Sequence, residues 1–212
     1  MQQADRQPPG LRERKKLRTR AELSWAAIRL VVERGYDDVR VEDIAAAAGV
    51  STRTFNNYFP SKGEAIAARH LDRFLEVADN VRARPAAEPL WTALLHAMND
   101  AFTPGPEVTM PPGMSEERWD AGLARMMSHP AWRSDLLRAS LAGEQALAAA
   151  VADRTGTDVS TDLYPNLVAS TLGAATATVI QHRLRQHPPQ SMEHLLRDAI
   201  RQLAAGLPAP VR

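Results

Sequence analysis

Apolar residues recur three and four positions apart along almost the whole chain, and hardly any segment alternates between apolar and polar side chains. Spacing of three and four places apolar side chains on one face of a helix, whereas alternation is typical of a strand. Glycine and proline divide the pattern into nine segments, each of which predicts a helix. The predicted helices span about 14–34, 41–48, 52–59, 61–82, 90–102, 115–129, 132–154, 161–186 and 191–206. The predicted fold class is therefore all-α.

One interval between these helices has a composition that excludes a helix. Residues 103–114 contain four prolines and two glycines, and proline removes a backbone donor and clashes with the preceding turn of a helix. The interval is either a lid over a ligand pocket or an irregular loop.

Composition narrows the class of protein. Of the 212 residues, 44% are hydrophobic and 24% are charged, which is typical of a globular chain. Cysteine is absent, so disulfides and thiolate metal sites are excluded, and a cytoplasmic location is expected. No stretch of about 18 apolar residues and no signal peptide are recognisable, so we expect no membrane segment.

Positive charge is concentrated near the start of the chain, although the net charge is only +1. Six arginines and lysines lie between positions 12 and 20, opposed by Glu13 alone. Such a run is either a solvated tail or an electrostatic contact for the phosphates of a nucleic acid.

The segment 41–59 has the pattern of two short helices joined by a sharp turn. Its first helix carries one apolar face, Gly49 lies at the turn, and Ser51 is positioned to cap the next helix. On that helix Phe55 and Phe59 lie four residues apart and point inward. The pattern predicts either a DNA-binding helix-turn-helix or an ordinary helical corner with a solvated face. Arginine and asparagine on the outward face favour the former, because they pair with guanine and adenine edges.

This segment resembles the DNA-binding domain of the tetracycline-repressor (TetR) family of bacterial transcription regulators. The residues that match the family pattern are Gly35, Tyr36, Val41, Ile44, Ala45, Ala48, Gly49, Val50, Ser51, Phe55, Tyr58, Phe59, Ser61 and Lys62. The resemblance covers about residues 14–66, and beyond them only the size and the helical plan agree. It implies a homodimer that binds near-palindromic double-stranded operator DNA.

The resemblance also implies roles for single residues. Thr52, Arg53, Asn56 and Asn57 would face the major groove, and Ser51, Thr54 and Tyr58 would contact the DNA backbone. Lys62 would bind a phosphate at the N-terminus of helix four, flanked by Arg18 and Arg20 from helix one. Two positions depart from the family: Arg40 replaces a capping Thr or Ser, although it could reach a phosphate, and Asn56 replaces a frequent aromatic residue. The operator therefore cannot be copied from relatives.

A regulator of this family needs an effector, which the resemblance implies to be a small apolar or amphipathic molecule bound between helices five, six and seven. Apolar and aromatic side chains there are either its pocket or ordinary core. The candidate ligand-binding residues are Trp91, Leu95, His96, Met98, Asn99, Trp119, Leu123, Met126, Met127, Trp132, Leu137, Leu141, Gln145 and Tyr164.

Other chemistry has weaker support. His96 and Asp100 have the spacing of metal ligands on a helix, but no third ligand is recognisable, so we predict neither metal nor cofactor. Neither a G-x-S-x-G motif nor a phosphate loop is present, so we do not expect an enzyme. The alternative function is that of a helical interaction or adaptor protein with degenerate DNA binding.

Three parts of the chain are expected to have different tasks. Residues 1–13 would be a flexible basic arm, 14–60 the helix-turn-helix domain, and 61–212 the ligand-binding and dimerisation domain. Helices at about 161–187 and 191–206 carry apolar and small residues that form either a four-helix dimer interface or intrachain core. With about nine helices in two domains, the chain is predicted to be a ligand-responsive repressor.

Overall fold

Nine α-helices and one short 3₁₀ turn form the part of the chain that the structure, a computed structural model, describes. The described residues are 10–103, 111–186 and 190–209, and no strand occurs among them. The helices are α1 (Leu11–Arg34), α2 (Val41–Ala47), α3 (Thr52–Tyr58), α4 (Lys62–Ala83), α5 (Leu90–Phe102), α6 (Glu116–Ser128), α7 (Arg133–Thr155), α8 (Leu163–Arg185) and α9 (Met192–Ala204), with the 3₁₀ turn at Pro130–Trp132. The all-α prediction is confirmed.

Serine side chains fix the starts of several helices, because each accepts a hydrogen bond from a free backbone N–H of the first turn. Ser51 accepts from the amide of Thr54 at 3.1 Å, and Ser61 accepts from that of Glu64 at 3.0 Å. α1 begins at Leu11, three residues earlier than predicted, so the end of the predicted flexible arm is helical. The rest of that arm, at 1–9, and most of the predicted lid, at 104–110, lie outside the described residues.

Two apolar cores lie along the molecule, and α4 belongs to both. The first core joins α1, α2, α3 and the start of α4, and it is closed by Met126 of α6 and by Trp132. The second core joins the rest of α4 to α5, α7, α8 and α9. The packing therefore continues across Pro60, where the sequence pattern divides the chain.

α9 is part of the second core. Its apolar stripe, which includes the buried Leu196 and Ile200, packs against α5 and α8. The sequence left open whether this stripe is a dimer interface or intrachain core; its buried residues have partners within the chain.

α8 has one packed and one open side. Val168, Ala169 and Leu172 are buried, whereas Leu163 and Leu167 are 76% and 55% exposed. The helix is long and apolar enough to pass for a membrane span by length and hydropathy, with 33% of its most apolar window buried. No other helix in the described ranges meets that test.

Candidate DNA-binding surface

The outward face of α3 carries the side chains expected to read DNA bases. Phe55 is fully buried and Phe59 nearly so, which anchors the inner face of the helix. Arg53, Asn56 and Asn57 are exposed, and their side chains make no hydrogen bond to any described residue. Free donors and acceptors on an exposed helix can pair with base edges without first breaking an internal bond.

A groove of about 780 Å³ runs between the first turns of α1 and the recognition helix α3. Its walls are basic and polar, so it can hold a sugar–phosphate strand beside the base-reading face. The residues that line it are Arg12, Glu13, Lys15, Lys16, Thr19, Val50, Thr54, Asn57 and Tyr58. Thr54 and Tyr58, which were predicted to contact the DNA backbone, are among them.

The turn between the two short helices has the geometry that the sequence predicted. Gly49 has φ +68°, a left-handed conformation that side chains disfavour. Arg40 occupies the N-cap of α2 but does not cap with its side chain; Asp43 instead accepts a hydrogen bond from the Arg40 amide at 2.8 Å. The guanidinium of Arg40 is exposed and remains available for a phosphate.

The arginines predicted to flank the site differ in position. Arg18 is exposed and lies 3.5 Å from Glu22 on the same helix. Arg20 turns toward α4, where it forms an ion pair with Asp72 and lies over the ring of Phe59, 5.3 Å from its centroid. Arg20 therefore joins α1 to α4 in this conformation.

Lys62 is also engaged within the chain. Its ammonium donates to the carbonyl oxygens of Tyr36 and Val39, the latter at 2.8 Å, and lies 4.1 Å from the centroid of the Tyr36 ring. Burial lowers the pKa of Lys62, opposed by the carboxylates of Asp37 and Asp38. Two of its three protons hold the turn after α1, which leaves one for a phosphate.

The predicted effector residues do not converge on one pocket. Five of them pack in the first core: Trp119, Leu123, Met126 and Met127 on α6, and Trp132 in the 3₁₀ turn. Trp91, Leu95 and Met98 belong to the second core, and Asn99 lies on the same helix, α5. Four others point outward from α7 and α8: Leu137, Leu141, Gln145 and Tyr164. α6 rests on α1 because α1 offers it an apolar face, including Trp25, whose ring centroid is 5.9 Å from that of Trp119.

His96 is held by a carboxylate. Its Nδ1 lies 2.9 Å from Glu88, which also binds Arg84. Hydrogen bonding to Arg84, with a smaller contribution from His96, lowers the pKa of Glu88 to about 2. No group of three metal-ligating side chains occurs in the ranges that the structure describes.

Two polar residues of α4 that the sequence analysis missed contact aromatic side chains of the second core. His70 packs on Phe74 and its Nε2 is 3.0 Å from the hydroxyl of Ser140, while Arg73 lies over Phe102. Their positions offered a signal, because 66, 70, 73, 77 and 81 form a helical stripe whose other members are apolar. A histidine and an arginine in an apolar stripe indicate polar side chains that pack against a core instead of facing solvent.

These features define a helix-turn-helix DNA-binding protein whose other helices form a second core. Residues 25–68 match the family described as bacterial regulatory proteins, tetR family, and residues 88–208 match the MftR C-terminal domain. The chain therefore belongs to the TetR family of transcriptional regulators, with a C-terminal domain of the MftR type.

Two named relatives agree with this assignment. The chain is 31% identical over 180 residues to the HTH-type transcriptional regulator TcmR of Streptomyces glaucescens, covering 81% of this chain and 75% of that protein. It is 28% identical over 198 residues to MftR, a proposed mycofactocin biosynthesis regulator of Mycobacterium tuberculosis, covering 92% and 93%.

Solved structures share the fold. The fatty acid degradation regulator FadR of Bacillus halodurans superposes with a TM-score of 0.56 at 15% identity, over 95% of this chain and 98% of that one. FadR of Thermus thermophilus, a TetR-family repressor in complex with lauroyl-CoA, gives 0.51 at 18% identity, over 91% and 97%.

Proposed function

We propose that this protein is a dimeric repressor that binds a palindromic operator in the cytoplasm and leaves it when a small apolar or amphipathic effector binds. The observation that carries the proposal is the exposed, unpaired set Arg53, Asn56 and Asn57 beside the basic groove of α1. Exposed amides and a guanidinium next to a phosphate-sized basic channel fit base reading and backbone contact together.

The operator experiment starts from selection of a duplex from a random pool, followed by fluorescence anisotropy. Arg53→Ala and Asn57→Ala should each lose about 1–3 kcal/mol and relax the preference at one position of each half-site. Arg118→Ala removes the same charge from the exposed start of α6 and should bind as the wild type does. An unchanged consensus for both variants would reject their roles, and failure to select any duplex would favour an adaptor function.

The proposed dimer surface is the open side of α7 and α8. Leu137 and Leu141 on α7 are 60% and 51% exposed, and Leu163 and Leu167 are exposed on α8. The two helices are joined at the centre of this face, where Ser170 donates to Glu144 at 2.9 Å. Four exposed leucines on one face are costly in water and are covered when a second copy binds. The sequence analysis assigned Leu137 and Leu141 to the effector pocket, but their exposure fits the proposed dimer surface better.

Sedimentation of a leucine-to-glutamate pair tests this surface. Leu141→Glu with Leu167→Glu should yield monomers and abolish operator binding, because a palindrome needs two recognition helices. Leu75→Glu on α4 alters a leucine that is 41% exposed outside this surface, and it should leave the dimer intact. A dimer in the double variant would refute the interface.

A further inference from the structure

Two buried polar atoms of α4 and α5 have no hydrogen-bond partner among the described residues. They are Nε of Arg73 on α4 and Oδ1 of Asn99 on α5. The guanidinium carbon of Arg73 lies 4.9 Å from the ring centroid of Phe102, and Asn99 precedes Phe102 by one helical turn. Both groups thus belong to the region where α4 packs on α5.

The buried Nε of Arg73 has a free-energy cost that its neighbours do not offset, although the side chain as a whole is partly exposed. Burying a charge is unfavourable unless it is paired and hydrogen-bonded. Among the described residues no carboxylate forms an ion pair with Arg73; Glu76 attracts it only at longer range, and Arg69 repels it. The ring of Phe102 compensates in part. A buried polar group left unsatisfied in a folded protein calls for an explanation, such as a bound water, a bound ion or a functional role.

The charge state of the region is defined. Burial, aided by Arg69, lowers the pKa of Arg73 to about 10, so its guanidinium stays protonated near neutral pH. Burial lowers the pKa of His70 to about 4, so the imidazole beside it is neutral. A single, partly exposed positive charge therefore lies beside the second core, whose side chains include Phe74 and Met98.

We propose that Arg73, with Asn99, binds the oxyanion head group of an amphipathic effector whose apolar tail packs in the second core. A carboxylate or phosphate oxygen accepts from Nε and from a terminal nitrogen of the guanidinium in a forked pair. Rotation of the Asn99 amide turns its NH₂ toward the same oxyanion. The inference rests on the proposed function only in taking the bound molecule to be the effector.

Three probes with the same twelve-carbon tail test the head-group chemistry by calorimetry: sodium laurate, dodecyl phosphate and dodecanol. At least one anion should bind the wild type about 10- to 100-fold more tightly than the neutral alcohol, the range that charge-assisted hydrogen bonds supply. The stronger anion identifies the head group as carboxylate or phosphate. Arg73→Met should bind that anion no better than dodecanol, with dodecanol itself unchanged. Arg197→Met, which removes a surface charge paired with Glu193, should behave as the wild type.

The proposal is overturned if dodecanol binds as well as both anions, if neither anion binds, or if Arg73→Met retains anion binding. Thermal unfolding without probe gives an independent readout. A buried Nε without a partner predicts that Arg73→Met is at least as stable as the wild type, whereas a clear loss of Tm would show that Arg73 has a structural partner. Operator affinity of Arg73→Met without probe should equal that of the wild type. If the wild type without probe did not bind the operator, that result would instead contradict the proposed function.

Discussion

Replacing Gly122 with alanine should separate α6 from α1. A methyl group at Gly122 would lie 2.3 Å from the carbonyl oxygen of Val32 and 2.8 Å from its Cγ1. The same carbonyl accepts from Arg125 at 3.2 Å. Because the obstacle is helix backbone, it cannot rotate away as a side chain would. The two helices must therefore move apart by about 1 Å to restore an ordinary contact.

The size of the effect follows from two opposed contributions. Alanine is favoured over glycine in a helix by about 1 kcal/mol. Overpacking a close helix contact costs about 1–3 kcal/mol. Gly122→Ala should therefore lower the free energy of unfolding by up to about 2 kcal/mol, a Tm loss of about 2–4 °C per kcal/mol for a chain of this size.

Gly173→Ala on α8 is the matched control. There the added methyl meets the end of the Glu144 side chain, at 2.5 Å from Oε1, and a flexible carboxylate can turn aside. This variant should keep the helix propensity gain and be as stable as the wild type or up to about 1 kcal/mol more stable. Urea unfolding of both variants measures the difference. If Gly122→Ala is as stable as Gly173→Ala, the close packing of α6 on α1 does not exist in solution.

Operator affinity gives a second readout of the same change. α6 packs on the C-terminal half of α1, directly behind the helix-turn-helix. A shift of α6 should change operator affinity about 5- to 150-fold, the range of 1–3 kcal/mol of coupling between sites.

Three further predictions test the cores and the basic groove. The free energy of unfolding should fall as the pH is lowered from about 6.5 to about 4, because unfolded chains protonate His70 in that window while the folded chain does not. The loss reaches up to about 3 kcal/mol. His70→Gln should flatten the pH profile of Tm; an unchanged profile in that variant would place His70 in solvent. Lys15→Ala with Lys16→Ala should reduce the slope of log operator affinity against log salt by about 0.9 for each DNA phosphate that the variant no longer neutralises; an unchanged slope would remove α1 from the interface. Ser61→Ala should lower the free energy of unfolding in urea by about 1 kcal/mol, because the amide of Glu64 loses its acceptor. An unchanged free energy would show that water replaces the cap fully.

The helix-turn-helix was predictable because its determinants are local. Gly49, the cap at Ser51 and the pair Phe55 and Phe59 fix the turn and the helix register within about ten residues. The same holds for most helix starts, where a serine and its amide partner lie three residues apart. The early start of α1 at Leu11 was missed because no capping side chain marks it.

The effector site was not predictable in the same way. Its location depends on which helix each apolar stripe contacts, and spacing along the chain does not define partners. Trp119 and Met126 were predicted as pocket residues but pack on α1, and Leu141 faces outward. Arg73 was overlooked because a single charge in a helix is usually solvated; its buried Nε and its contact with Phe102 become visible only in the fold.

α4 connects the two proposed sites. Lys62 at its start holds the carbonyls of Tyr36 and Val39, which form the turn leading into the helix-turn-helix. Arg73 lies eleven residues further along, about 16 Å at the rise of an α-helix. A hydrogen-bonded helix does not stretch, so an anion bound at Arg73 can act on DNA only by tilting α4 as a rigid body. A tilt of about 5° over that length would move the Lys62 end by about 1.4 Å. In a dimer the Lys62 ends of the two α4 helices would move in opposite directions. This movement changes the distance between the two recognition helices, which must be about 34 Å to reach successive major grooves.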